Sequence, residues 1–226
     1  MKKLFFFFIF TLYTVNCLFS QSAIGSWRTH ISYTNISQIT QSQDKIYGIS
    51  TGALFSVDKN DNIVDTYSKI SGLNDNNICL IEYSDFKNIL FIAYKNSNID
   101  LLSEDGTIVN ISDIYRKNIN GSKQINNVCF HNNLAYIACD FGITILNLSK
   151  NEFTETYIIG NEGNSEKTIK THIYNNDLYA LTENNILIGN TSKNLINYQN
   201  WNRLSTPDSI KKKHRHASCP RYHIST

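Results

Sequence analysis

The segments IYGIS (46–50), LFIAY (90–94), AYIAC (135–139) and LYALT (178–182) are four versions of one phrase. Each has an aromatic residue in second place: Tyr47, Phe91, Tyr136 and Tyr179, at intervals of 44, 45 and 43 residues. A turn-former stands three residues before each aromatic, at Asp44, Asn88, Asn133 and Asn176. Working outward, a second apolar run follows every segment (ALFSVD, NIDLL, GITIL, NILIG). These runs are anchored by Leu54, Ile99, Ile143 and Ile186, at intervals of 45, 44 and 43. A third run precedes each segment, around Ile39, Ile81, Val128 and Thr171. A fourth closes the unit at 63–67, 108–111 and 153–159, with 201–204 as its counterpart in the last unit. Short runs rich in β-branched and aromatic residues, bounded by Asn, Asp, Gly and Ser, read as strands and turns.

Four strands in 43–45 residues is the size of one β-propeller blade. A four-stranded sheet with two apolar faces buries both only between neighbouring sheets, and radial stacking supplies that burial. The fold class is therefore all-β: about four four-stranded repeats, an incomplete propeller. The units run roughly over 36–73, 74–122, 123–166 and 167–204, inside a blade region of 21–204. The four aromatics are expected to fill equivalent places between blades. A β-sandwich also has evenly spaced short strands, but four in-phase repeats favour stacked blades. Four units could just close a small ring, although six to eight is commoner. An open stack leaves a terminal face uncovered, so marginal stability or aggregation is expected.

Composition agrees. Hydrophobic residues make up 41% of the 226 and charged residues 18%, which excludes a charged disordered chain. Two prolines and ten glycines exclude collagen-like and proline-rich classes. Ala and Glu are scarce, which disfavours helices, and an aromatic content of 12% favours sheet.

Residues 1–20 read as a secretory signal peptide, with Lys2 and Lys3 before an apolar run from Leu4 to Tyr13 and cleavage after Ser20. Even Leu4 to Phe19 is short for a membrane span. Cys17 follows Asn16 where a lipoprotein signal wants a small residue. The product is expected to be exported, to the periplasm or the outer-membrane cell surface. Without the leader the chain is formally neutral. The stretch 21–210 carries 14 basic against 19 acidic residues, which argues against nucleic acid as a partner.

Residues 205–226 form a basic tail without strand alternation, and an abrupt composition change favours translation out of frame. His214, His216, Cys219 and His223 would be the sharp reading there, as zinc ligands; a disordered tail or a frame error is preferred. Cys79, Cys129 and Cys139 lie in apolar runs without CxxC spacing. They are read as buried thiols over any one disulfide, and their pairing is left open.

Candidate chemistry mostly fails. GNEGNSEKT (160–168) puts Glu166, not Gly, before Lys167, so a phosphate loop gives way to a turn between blades. Asp58, Asn60 and Asn62 have the oxygen spacing of a calcium loop, but Ile63 and Lys69 stand where Gly and Glu are needed, which favours an Asx-rich turn. His30, His131 and His172 are isolated and accompany no hydrolase motif. Asp100, Asp140 and Glu183 could meet at the ring centre as a carboxylate pair, against commoner solvated or turn-capping roles. Sequons at Asn35, Asn110, Asn120, Asn147 and Asn190 need not be used. No catalytic, cofactor-binding or metal residue is assigned, and no cofactor.

Two stretches carry a resemblance. KISGLNDNNICLIEY (69–83) resembles the repeat junction of two-component-regulator propellers: Gly72, Leu73, Asp75, Asn77 and Ile78 meet the pattern, with one extra Asn at 76. IGSWRTHISY (24–33) is similar to the mature start of the PorZ-like propeller proteins of the Bacteroidetes type IX secretion system, and AYKNSNIDLL (93–102) to their early blade. The resemblance covers about 24–204. It implies a non-enzymatic scaffold or glycan binder at the cell surface, working with PorU, PorV and PorQ in cargo attachment to lipopolysaccharide. Family members are much longer, carrying two propellers and a C-terminal β domain, so this chain would hold the first blades of a truncated protein. The alternative is the extracellular sensory propeller of a hybrid histidine kinase, truncated before the membrane span. A glycan-active propeller enzyme has least support.

Overall fold

The computed structural model describes residues 32–205. The leader, the basic tail from 206, His30 and Cys219 lie outside the described residues. Sixteen strands among the described residues make four separate antiparallel sheets. Sheet 1 holds β1 (Ile36–Gln41), β2 (Lys45–Ser50), β3 (Ala53–Asp58) and β4 (Val64–Tyr67). Sheet 2 holds β5 (Ile78–Ser84), β6 (Ile89–Tyr94), β7 (Ile99–Ser103) and β8 (Ile108–Ile111). Sheet 3 holds β9 (Ile125–His131), β10 (Leu134–Cys139), β11 (Gly142–Asn147) and β12 (Glu152–Tyr157). Sheet 4 holds β13 (Thr168–Tyr174), β14 (Asp177–Thr182), β15 (Asn185–Asn190) and β16 (Trp201–Ser205). Within every sheet the spatial order is the chain order.

The turns explain the meander. Thr51 and Gly52 join β2 to β3, both with positive φ (50° and 81°), the type I′ signature that matches strand twist. The β9–β10 and β13–β14 hairpins turn on Asn132–Asn133 and Asn175–Asn176. The left-handed residue is Asn132 or Asn175, one place before the turn-formers picked out by spacing; Asn88 holds that conformation itself. Gly142 begins β11 at φ 137°, and a Cβ there would lie 2.3 Å from the Tyr157 carbonyl oxygen, so only glycine fits.

The first strands β1, β5, β9 and β13 meet one another in chain order and line the inner edge of the stack. Each sheet therefore has a leading face toward the next sheet and a trailing face toward the previous one. Pairing register makes the repeat exact at the residue level. Tyr47, Phe91, Tyr136 and Tyr179 lie opposite Thr40, Glu82, Cys129 and His172 of the inner strands. All four are on leading faces. Three cores result. Tyr47, Ile49 and Leu54 pack on Ile81, Tyr83 and Leu90. Phe91 and Ile99 pack on Val128, Ala135 and Ile137. Tyr136 and Ile143 pack on Leu178 and Ala180.

The fourth aromatic departs from expectation. Tyr47, Phe91 and Tyr136 are buried, but Tyr179 is only half-buried because, among the described residues, no sheet packs on the leading face of sheet 4. The trailing face of sheet 1 is likewise uncovered in part, with Ile39, Ile46 and Val64 exposed. The four sheets thus form an open stack, and the small closed ring that four units allow is not what forms.

Candidate binding cleft

The junction between sheets 1 and 2 is the most elaborately built. After β4 a 3₁₀ turn at Lys69–Ser71 is closed by a capping box from Ser68 and Ser71, and Gly72 ends it at φ 107°. Leu73 then enters the core. The next residue is held by Asp100, which is fully buried on β7. Its carboxylate accepts from the Asn74 amide N–H (2.8 Å), Asn74 Nδ2 (3.0 Å), Tyr94 Oη (2.6 Å) and Asn110 Nδ2 (2.7 Å). Four donors satisfy the buried charge, which makes Asp100 an anchor for the junction.

The other carboxylates raised by the sequence are also occupied locally. Asp140 Oδ1 accepts from Asn126 Nδ2 at 2.8 Å. Glu183 lies 3.5 Å from Lys167 Nζ in an exposed ion pair. The structure does not bring Asp100, Asp140 and Glu183 onto a shared partner. Asp58 Oδ1 accepts the Asn60 amide at 2.8 Å, and Asp61 Oδ1 accepts that of Ile63 at 2.9 Å, which makes the DKNDN stretch an Asx turn. The loop 160–168 links sheet 3 to sheet 4. There Glu166 pairs with Arg203 at 3.2 Å, beside a cavity of about 240 Å³.

Between sheets 1 and 2, beside the turns that follow β1, β3 and β7, lies a cleft of about 490 Å³. Turn residues Asp44, Lys45, Asp58 and Asn60 line one side, Glu104 and Asp105 the other, with Tyr47 and Tyr67 on its wall. Tyr47 stacks on Tyr83 at 6.2 Å, and Tyr83 donates to Glu104 Oε1 at 2.6 Å. Burial raises the phenol of Tyr47. At Tyr83 burial and then the Glu104 carboxylate do the same, so both remain protonated donors. Lys45 is raised by its bond to Asp65 (3.0 Å) and stays cationic. The cleft offers aromatic rings, hydroxyl donors and carboxylate acceptors, which suits a polyhydroxylated ligand. A second groove, of about 360 Å³, lies between sheets 2 and 3 along Glu82, Ser84, Cys129 and Phe130.

Several contacts escaped the sequence reading. Gln38 Nε2 donates to the Ile81 carbonyl at 2.6 Å while its Oε1 accepts the Ile81 N–H at 3.1 Å. Thr40 Oγ1 accepts the Tyr83 N–H at 3.1 Å, and Asn127 Oδ1 accepts the Thr171 N–H at 3.1 Å. Side chains of one sheet thus occupy the open edge of the next inner strand. The signal was present: Gln38 and Asn127 each stand nine residues before a repeat aromatic. Cys79, Cys129 and Cys139 are free thiols, each raised chiefly by burial, Cys129 to about 11.

The family model described as "TSS9, PorZ, N-terminal beta-propeller domain" matches residues 46–202, more than half of the chain. The chain belongs to the PorZ N-terminal β-propeller family. A solved PorZ, described as an essential bacterial surface component of the type-IX secretion system of Porphyromonas gingivalis, is 27% identical with a TM-score of 0.69. The match covers 80% of this chain and 24% of that one, so this chain spans about a quarter of the PorZ length. The extracellular domain of the one-component system BT4673 from B. thetaiotaomicron shares the fold at 12% identity and TM-score 0.60, over 81% of this chain and 24% of that one. That of the hybrid two-component system BT3049 from the same organism does so at 16% and 0.54, over 76% and 22%. No curated protein matches the chain. The PorZ match takes in all of the sheet 1–sheet 2 cleft except Ser42, Asp44 and Lys45. Among the described residues no helix is long and apolar enough to cross a membrane.

Proposed function

We propose that this PorZ-family propeller is an exported, non-catalytic surface component of type IX protein secretion, acting as a scaffold or glycan binder during cargo attachment. Membership of the PorZ family over 46–202 carries the reading. The cleft between sheets 1 and 2 supports it: phenols, an ammonium and carboxylates on strands and turns can exchange hydrogen bonds with sugar hydroxyls. The chemistry of the carboxylates supports a non-catalytic role, because Asp100 is saturated by four donors and Glu183 is held by Lys167. PorU, PorV and PorQ are the proposed protein partners, and lipopolysaccharide the proposed glycan.

Deleting the gene in its host tests the function: secreted cargo carrying the sorting domain should be lost from the cell surface. Normal secretion in the deletion strain would overturn the reading. Titrating purified chain with lipopolysaccharide tests the cleft, with Tyr67→Ala and Glu104→Gln expected to weaken binding about tenfold each, one good hydrogen bond to a charged or phenolic group. A sensory role is the second reading, prompted by the shared fold of the BT4673 extracellular domain. It expects intact secretion and an altered transcriptional response to a glycan in the same strain.

A further inference from the structure

The junction between sheets 2 and 3 lacks bonds that the other junctions make. Gln38, Leu80 and Asn127 are equivalent by register, each paired with the residue two places after a repeat aromatic. Gln38 grips the peptide unit of Ile81, and Asn127 accepts the Thr171 N–H. Leu80 has no polar atom to offer Val128, the equivalent of Ile81 on β9. Ser42 and Ser84 are equivalent too, each following the residue (Gln41, Tyr83) that pairs with Ile46 or Leu90. Across the turn 43–44, Ser42 Oγ accepts the Lys45 N–H at 3.0 Å. In sheet 2 the turn is 85–88, and the Lys87 N–H goes to the Ser84 carbonyl at 3.3 Å. Ser84 is 1% exposed, and its Oγ has no hydrogen-bond partner, alone among the buried side-chain polar atoms of the described residues. A buried hydroxyl left unpaired lowers stability, so its retention calls for a cause.

Ser84 lines the groove of about 360 Å³ between sheets 2 and 3. Glu82 and Ser84 stand two places apart on β5 and so share the face toward sheet 3. Asp85 adds a second carboxylate, and Phe86 an aromatic ring that is 64% exposed. Val128 and Phe130 form the opposite wall. Among the described residues no Lys or Arg lines this groove. Lys170 on β13 is the base whose charge reaches Glu82, and Lys87 is held by Ser149 Oγ at 2.6 Å.

We propose that this groove binds an alkylammonium group, a primary amine on a short apolar stem such as a lysine side chain. An ammonium carries three N–H donors and no acceptor. The Glu82 carboxylate, Ser84 Oγ and the Val128 carbonyl, which Leu80 leaves without a side-chain donor, are the acceptors for them. The positive charge offsets what burial costs the ionised form of Glu82. Phe86 supplies an aromatic face to the cation, and Phe130 an apolar wall to the stem. The site lies apart from the cleft between sheets 1 and 2 and does not depend on the glycan reading.

Titrating the full chain with Nα-acetyl-lysine methylamide, followed by amide NMR, should give saturable shifts centred on 82–86 and 128–130. Ser84→Ala and Glu82→Gln should each weaken binding about tenfold. The Nε-acetylated form keeps the stem without the charge and should not bind. Glucosamine keeps the charge on a polar body and should bind about tenfold more weakly, the worth of roughly two buried methylenes. Ser84→Ala removes an unpaired hydroxyl, so its melting temperature should hold or rise. Absence of saturable shifts overturns the proposal, as does equal binding of the acetylated form or of glucosamine. A Ser84→Ala variant that binds like the parent overturns it as well. So does one that melts lower, since the hydroxyl would then have a partner within the fold.

Discussion

Gln38 of sheet 1 grips the peptide unit of Ile81 in sheet 2 with both ends of its amide, at 2.6 Å to the carbonyl and 3.1 Å from the N–H. An inner strand has a partner on one edge only, and its other edge is an unpaired row of donors and acceptors. The Gln38 amide supplies one strand-like partner without a strand. Gln38→Leu should lower stability by about 2 kcal/mol, since both Ile81 groups lose their partner inside an interface. Chemical denaturation measures it.

Position along the stack, not residue type, should decide the cost of deleting a repeat aromatic. Phe91 is wholly buried between sheets 2 and 3 and makes an edge-to-face contact with Phe130 at 6.3 Å. Phe91→Ala should cost about 3–5 kcal/mol. Tyr179 occupies the same register position on an open face, and Tyr179→Ala should cost under about 1 kcal/mol. Equal losses in urea titrations would contradict the assignment of the open end.

Asp100 should be the most sensitive polar residue. Asp100→Ala strips the partner from Tyr94 and from the backbone of Asn74, and a loss of roughly 3 kcal/mol is expected. Amide exchange should speed up locally over 73–78, because Asp100 holds both the backbone N–H and the side chain of Asn74. Unchanged exchange there would show that the junction stands without the anchor.

Glu82 ties stability to pH. Burial is the main cause that raises its carboxyl above the usual range, and the Thr40 hydroxyl and the charge of Lys170 only partly oppose it. The folded state therefore holds this proton more tightly than the unfolded chain does. The resulting stabilisation is fully present below the unfolded pKa and disappears as pH rises through the raised folded value. Glu82→Gln should flatten the stability–pH curve across that interval. A curve that keeps its slope in the variant would place the titration elsewhere.

The sequence alone determined the four four-stranded units and the shared face of the repeat aromatics. Side chains alternate with period two along a strand, so an aromatic recurring every 43–45 residues in an alternating run must recur on one face. Asx chemistry likewise announced the turn at Asp58. Tertiary structure alone decided whether a face has a neighbour. Tyr136 and Tyr179 read identically in their segments, yet one is buried and the other half-buried, because burial depends on a sheet more than forty residues away. The clamps of Gln38 and Asn127 and the saturation of Asp100 belong to the same class. Gln, Asn and Asp suit a solvated surface by composition. Only the position of a peptide group on the next sheet, or of a phenol and two amides around a carboxylate, turns them into structural residues.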